Sequence, residues 1–295
     1  MSDGSEGHTP APRPRVTIES LRAMRDRGEP IVMLTAYEFV SGRVAEAAEV
    51  DIALVGDSGA MTVLGHPSTR DVSLDEMLML TRAVRRGVRT SLLVGDLPYR
   101  SYEESDALAL DTAGRFVDAG CDAVKLEGAG AMVDRVRAIV AAGIPVMGHV
   151  GLTPQRFGGA EGMRVQGRSA DAALALVDDA RALEEAGCFA IVLEAVPAEV
   201  AAAVTERLAI PTIGIGAGAG VSGQVLVFHD LLGLWSGRVP RFVRQYAELE
   251  AAMVGAVARW RDDVRARRFP TGAESYGIAA DELARFRQRI AGRRG

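Results

Sequence analysis

The chain has 295 residues, of which 48% are hydrophobic and 25% charged, so it can bury a sizeable core and is not disordered throughout. Its 34 Lys and Arg against 39 Asp and Glu leave a formal charge of −5, which excludes a global positive field that would draw it to nucleic acid or anionic lipid. No apolar run reaches the roughly 18 residues of a membrane span, and residues 1–15 lack the apolar centre of a signal peptide, so the expectation is a soluble, cytoplasmic protein acting on a small molecule.

Residues 1–15, rich in Gly, Pro and Ser, are expected to be a flexible leader. A short helix follows, with Thr17 as its N-cap, Ile18, Leu21 and Met24 at helical spacing and Gly28 as its stop. Eight short apolar runs then alternate with Ala-rich and charged helical stretches: 31–37, 51–58, 91–97, 123–128, 145–152, 190–196, 212–218 and 224–230. Near-continuous apolar runs mark strands covered on both faces, and intervening helices mark parallel crossovers. Ser73 and Glu76 form a capping box opening a helix that ends at Gly87. Eight βα units in succession predict an α/β fold of the (β/α)8 TIM barrel type, with an N-terminal helix and extra C-terminal helices. The last two strands lie so close in sequence that the seventh crossover must be minimal. The barrel domain is expected over 16–276, followed by an Arg-rich tail over 277–295, helical or disordered.

In a barrel, chemistry sits at the C-terminal ends of the strands. Here those ends carry Asp57 and Ser58, Asp96, Lys125 and Glu127, His149, and Glu194. Lys125 and Glu127 are two apart, so strand alternation sends both to one face, the inner rim. Asp57, Asp96 and Glu127 bring three negative charges against one from Lys125, an excess that a divalent cation would balance. The donors are oxygens without a paired His or Cys, which favours Mg²⁺ over Zn²⁺. Cys121 and Cys188 precede strands and read as buried packing, with no metal or disulfide spacing. The run Gly218-Ala-Gly220-Val-Ser-Gly223 matches a dinucleotide-binding template, but a strand follows where a helix should start, so it reads as a tight turn.

Nine stretches in order carry a resemblance to the ketopantoate hydroxymethyltransferase family: MLTAY (33–37), LVGDS (54–58), DLPYRSY (96–102), DAVKLEG (122–128), GIPVMGHVGLTPQ (143–155), VQGR (165–168), LEAVPAE (193–199), IPTIGIGAG (210–218) and GQVLVFHD (223–230). The resemblance implies a barrel enzyme of pantothenate and coenzyme A biosynthesis. It would add a hydroxymethyl unit from 5,10-methylenetetrahydrofolate to 3-methyl-2-oxobutanoate with Mg²⁺, giving 2-dehydropantoate. It further implies Asp57, Asp96 and Glu127 in the magnesium sphere, the last through water. Asp57, Ser58, Asp96 and Lys125 then contact the keto acid, and Glu194 is the general base. His149 lies in the matching pocket stretch without a fixed role. Members are commonly decamers, so a homo-oligomer is expected.

The chain departs from the family pattern in three places. Met163 replaces an aromatic residue within 161–168, the Pro, Cys and Asp usual between Gly218 and Gly223 are missing, and Ala273-Glu-Ser-Tyr276 lacks the family's His. These departures keep open a relative acting on another 2-keto acid, or a carbon–carbon lyase of the phosphoenolpyruvate mutase and isocitrate lyase group. A third reading, a binding protein using Arg285, Arg287, Arg289, Arg293 and Arg294 on RNA, is set against the plainer one of a solvated tail.

Overall fold

The computed structural model describes residues 13–157, 164–235 and 239–293. Described residues up to Tyr246 form one compact unit and those from Ala247 another, a division earlier than the expected one after residue 276. Most of the expected leader lies outside the described residues, but order begins before Thr17. The Arg13 guanidinium donates to Asp51 Oδ1 at 2.7 Å and to the Val50 carbonyl at 3.0 Å, and Arg15 ion-pairs with Asp122.

Helix α1 (Ile18–Asp26) opens on a capping box in which the Thr17 hydroxyl accepts from the Ser20 amide and the Ser20 hydroxyl accepts from the Thr17 amide. Gly28, at φ +67°, supplies the left-handed residue that ends it. The barrel then runs β1 (Ile31–Thr35), α2 (Phe39–Ala47), β2 (Ile52–Val55), α3 (Gly59–Thr62), α4 (Leu74–Gly87), β3 (Leu92–Asp96), α5 (Asp106–Asp118), β4 (Ala123–Lys125) and α6 (Met132–Ala141). It continues through β5 (Val146–Gly151), α7 (Pro154–Phe157), α8 (Ala170–Glu185), β6 (Ala190–Glu194), α9 (Ala198–Arg207), β7 (Thr212–Ile215), β8 (Gly223–Leu226) and α10 (Phe228–Leu232). All eight strands pair in parallel with their neighbours in sequence order. Leu34 of β1 lies beside Leu226 of β8 and closes the ring.

The alternation of each strand sorts its side chains between two cores. Ile31, Met33, Ile52, Leu54, Leu92, Val94, Ala123, Met147, Ala190, Val192, Ile213 and Val225 fill the barrel interior. Val16 and Leu21 join the same cluster from the N-terminal side, so α1 stoppers the end of the barrel where the strands begin. The residues between them, such as Ala53, Leu93, Val124, Val150, Ile191 and Leu193, face outward and pack under the helices. Carrying the inward parity one step beyond the apolar layers reaches Asp96, Lys125 and Glu127, His149, and Glu194.

The seventh crossover is minimal as expected: no helix separates β7 from β8, and Gly216 (φ +63°) and Gly218 (φ +78°) turn the chain. No helix start is presented there for a dinucleotide. The run 224–230 is not one strand, however. It leaves the sheet after Leu226 because the Phe228 amide donates to Thr35 Oγ1 at 2.8 Å and the chain coils into α10, ending at Gly233 in the left-handed conformation. An apolar run of that length reads alike as strand or buried helix.

The C-terminal unit holds α11 (Leu249–Arg265) and α12 (Ala280–Ala291), both amphipathic, with no residue of either helix buried. Of the tail arginines, Arg285 pairs with Glu282 at 2.8 Å, and Arg294 lies outside the described residues.

Gly95 immediately precedes Asp96 and lets α5 approach β3 closely. A Cβ there would lie 2.3 Å from Phe116 Cδ1 and 2.8 Å from Cys121 Sγ. Gly95→Ala is therefore expected to cost about 1–3 kcal/mol by overpacking. Urea unfolding measures this, and a variant as stable as the parent would contradict the close approach.

Candidate active site

The inward-facing polar residues above the apolar layers form one connected network at the C-terminal mouth. Its centre is Lys125, the last residue of β4, whose ammonium lies 2.8 Å from Asp96 Oδ1 and 3.3 Å from His149 Nδ1. Register explains the first contact, since Asp96 and Lys125 are direct neighbours in the β3–β4 ladder. His149, from β5, places Nδ1 3.4 Å from Glu127 Oε1 and Nε2 3.2 Å from Glu194 Oε2. The imidazole thus bridges two carboxylates that approach it from β4 and β6.

Glu194 differs from its neighbours in access. Its side chain keeps 19% of its exposure, against 1% for Glu127 and 3% for Asp96. It is the most exposed of these three carboxylates. Ala195, immediately after it, sits at φ +48°, a left-handed backbone that disfavours a residue with a Cβ. That conformation is enforced from both sides: the Ala195 amide donates to the Ile215 carbonyl at 2.8 Å, and its carbonyl accepts from the Gln166 amide at 2.9 Å. Strain of this kind, held by surrounding structure, collects at functional sites.

Asp57 follows β2 and is buried, with its amide 3.4 Å from Asp96 Oδ2. Two of the three acids on which the cation expectation rests, Asp57 and Asp96, are therefore adjacent. Asp57 Oδ2 accepts from Gln155 Nε2 at 2.9 Å. The same amide nitrogen donates to the Leu97 carbonyl at 3.0 Å, and Gln155 Oε1 accepts from the Tyr102 hydroxyl at 2.8 Å. The Gln155 backbone amide also donates to Glu127 Oε2 at 3.0 Å. Ser58 points elsewhere in the mouth, where its Oγ is 2.8 Å from the Tyr37 hydroxyl.

The charge distribution follows from this geometry. Burial, then Asp96 and then Glu127, push the Asp57 carboxyl well above its ordinary value. Burial also raises Asp96, against the pull of Lys125. Lys125 is desolvated, yet three carboxylates outweigh that cost and raise its pKa. Glu127 is likewise desolvated, but His149, Lys125 and the Gln155 amide hold it below its ordinary value. Burial and Lys125 oppose protonation of His149, whereas Glu127 and Glu194 favour it, and the balance raises its pKa to about 9. The two carboxylates thus favour an imidazolium at this position, against the Lys125 ammonium 3.3 Å away.

The residues present fit a hard divalent ion in part. Asp57 and Asp96 are adjacent oxygen donors whose mutual repulsion a cation would relieve. Among the described residues, however, no three His, Cys, Asp or Glu side chains gather closely enough to ligate one ion. Glu127 is turned toward Gln155 and His149 instead. Two carboxylates, with remaining positions left to substrate oxygens and water, is a pattern Mg²⁺ accepts.

Every residue expected at the strand ends lies in the mouth: Asp57, Ser58, Asp96, Lys125, Glu127, His149 and Glu194. Three further participants, Gln155, Tyr102 and Tyr37, were not singled out from the sequence. All three stand just past strand ends inside the quoted stretches, so the strand-end rule applied a few residues further would have found them. Both cysteines are buried, Cys121 against Gly95 and Cys188 beside Gly148, and burial raises the Cys188 thiol to about 12. Neither is the reactive mouth cysteine that the lyase reading would favour.

Comparison with known proteins shows the family. The model of the family described as ketopantoate hydroxymethyltransferase matches residues 15–272. A protein of Oleidesulfovibrio alaskensis named 3-methyl-2-oxobutanoate hydroxymethyltransferase is 50% identical over 94% of this chain and 96% of its own length. Its namesake in Moorella thermoacetica is 52% identical over 90% of this chain and 99% of its own. Among solved structures, phosphonopyruvate hydrolase with oxalate and Mg²⁺ superposes with a TM-score of 0.58 at 15% identity, covering 94% of this chain and 96% of that one. A 2,3-dimethylmalate lyase of the PEP mutase/isocitrate lyase superfamily gives 0.54 at 18%, covering 94% and 98%. Those two likenesses establish the shared barrel alone, whereas the match along nearly the whole sequence places this chain in the ketopantoate hydroxymethyltransferase family, a family of transferases.

Proposed function

We propose that this chain transfers a hydroxymethyl group from 5,10-methylenetetrahydrofolate to 3-methyl-2-oxobutanoate, giving 2-dehydropantoate and tetrahydrofolate, with water supplying the hydroxyl oxygen. The observation that carries the chemistry is Glu194, a partly open carboxylate with one oxygen 3.2 Å from His149 Nε2, at the mouth that holds Asp57 and Asp96. The free oxygen of Glu194 accepts the proton from C3 of the keto acid, and C3 then forms the new bond to the one-carbon unit. Removing that proton leaves negative charge on the substrate, and the site answers it with the Lys125 ammonium and the protonated His149 ring in a dry, preorganised setting. Ser58, with its hydroxyl oriented by Tyr37, is placed to bind a keto-acid oxygen. Asp57 and Asp96 would hold Mg²⁺, which when bound polarises the keto carbonyl. The reaction serves pantothenate biosynthesis in the cytoplasm. No helix among the described residues is long and apolar enough to cross a membrane. A homo-oligomer is supported by the apolar residues Met253, Val254, Val257 and Trp260 that α11 leaves exposed.

A positioned general base contributes on the order of 10²–10⁴-fold. Glu194→Gln should therefore lower kcat for 2-dehydropantoate formation by about that factor while its thermal unfolding matches the parent. Activity within tenfold of the parent would remove Glu194 from the role, and no turnover by the intact protein would remove the proposal itself.

Chelation by EDTA should abolish turnover and added Mg²⁺ restore it. Asp57→Asn, which keeps an acceptor for Gln155 but removes the charge, should raise the Mg²⁺ concentration needed for half-maximal rate. The residues missing between Gly218 and Gly223 favour testing a panel of 2-keto acids alongside. A higher kcat/KM for an acceptor other than 3-methyl-2-oxobutanoate would assign the chain to that substrate.

A further inference from the structure

The loops after β2 and β3 carry a second arrangement of charge on the same mouth, separate from the buried network. Tyr99 has two guanidiniums at its ring, with Arg70 Cζ 4.2 Å and Arg100 Cζ 5.3 Å from the ring centroid. Most other arginines with side-chain contacts in the barrel unit, including Arg13, Arg15, Arg115 and Arg135, are neutralised by a carboxylate. Among the described residues, Arg70 and Arg100 make no such ion pair. Glu103 of the same loop is committed to the backbone, its Oε1 accepting from the Arg100 amide at 3.1 Å and its Oε2 from the Tyr102 amide at 3.3 Å. Arg100 and then Arg70 hold the Tyr99 phenol below its ordinary value, as expected where two cations share one ring.

The pair is mounted on the site's own framework. Arg70 belongs to a 3-10 turn (Thr69–Asp71) that packs against α7, which carries Gln155. Arg100 occupies a left-handed backbone, φ +67°, two residues before Tyr102, whose hydroxyl binds Gln155 and the Glu127 carbonyl. A non-glycine residue held in that conformation by a carboxylate clasp on its own amide is a built feature rather than a loose surface side chain. Two cations that share one ring and make no ion pair among the described residues invite an anion.

The transfer proposed above requires one ligand that fits this description. The folate co-substrate presents its one-carbon unit at one end, a glutamate with two carboxylates at the other, and a flat aminobenzoyl ring between. In the transfer proposed above the buried cations Lys125 and His149 face the keto acid, so the tail needs a second place. We infer that Arg70, Tyr99 and Arg100 form the clamp for the aminobenzoylglutamate arm of the folate, the guanidiniums taking its carboxylates and the planar cation and phenol surfaces receiving its ring. The inference rests on the proposed transfer and adds to it the recognition of the second substrate. Arginine suits this work because its planar fork meets a carboxylate through two parallel hydrogen bonds and stacks on aromatic faces.

The test separates this clamp from the transfer itself. In the intact protein, Arg70→Met and Arg100→Met should each raise KM for methylenetetrahydrofolate by about ten- to a hundredfold, the loss of a charge-assisted contact. KM for 3-methyl-2-oxobutanoate should stay within twofold. Exchange of the keto acid's C3 hydrogen with deuterated water, which needs no folate, reports on Glu194 independently. Free p-aminobenzoylglutamate should compete with the folate in the parent and weaken as a competitor in both variants, whereas inorganic phosphate at the same concentration should not compete. An unchanged folate KM in both variants overturns the clamp. So does a parallel rise in both KM values, which would mean general damage, or equal competition by phosphate, which would mean a simple anion site. Absence of 2-dehydropantoate from the unaltered protein would instead reject the transfer, whatever the variants do.

Discussion

The mouth of this barrel is organised by the ion pair between Lys125 and Asp96, buried to within a few per cent of full enclosure at 2.8 Å. Taking an ion pair out of water is expensive, with an effective penalty of several kcal/mol per ion in real proteins. A pair of this kind is weak evidence for stability, since apolar residues of similar size would serve the core as well. Its use here is local neutrality. With Lys125 in place, Glu127 can remain ionised in a closed setting and charge His149 in turn. Remove the ammonium and the remaining acids would have to take up protons, which would strip the site of its electrostatic contrast.

Strand geometry makes this arrangement possible without any special loop. The inward parity that places Ile52, Leu92, Ala123, Met147 and Ala190 in the interior also places Asp96, Lys125, His149 and Glu194 higher on the same strands. The apolar layers below exclude water, and α1 shuts the opposite end with Leu21. The polar network therefore has a dry floor and a single open side. Where an outward position would have obstructed a helix, the sequence supplies glycine, as at Gly95 beneath Phe116 and Gly148 beneath Leu183. Rigid attachment of the strands to the outer helices is what holds charged side chains to distances near 3 Å.

Much of this was legible in the sequence, for a physical reason. Buried parallel strands read as uninterrupted apolar runs, so a charged residue at the end of one stands out. Asp96, Lys125, Glu127 and Glu194 declare themselves in that way. Gln155 and Tyr102 do not, because an uncharged polar residue in a loop is ordinary and its partners are 98 and 25 residues away in the chain. The run after Gln224 misled for a related reason: Val227 and Phe228 are apolar like a strand, and only the Thr35 hydroxyl, from the far end of the barrel in sequence, turns them into a helix. The ordering of Arg13 is hidden in the same way, since the Asp51 that holds it reads in sequence as a strand boundary and nothing more. Local pattern reports burial well; it does not report which distant group completes a hydrogen bond.

The neutral part of the network bears on why the charged part is selective. Gln155 spends its side-chain N–H groups on Asp57 and the Leu97 carbonyl and its oxygen on the Tyr102 hydroxyl, while its backbone amide holds Glu127. Exchanging the oxygen and nitrogen of the side-chain amide would set its oxygen against Asp57 Oδ2 and the Leu97 carbonyl, acceptor against acceptor. Asp57 is therefore presented in a single orientation before any ligand arrives, and its repulsion from Asp96 is left standing rather than relaxed by a turn of the side chain. A cation bringing a keto acid would relieve that repulsion, whereas a neutral ligand of the same shape would not. A preference of the mouth for a chelated anion over an uncharged carbonyl compound would thus originate in side chains that carry no charge themselves.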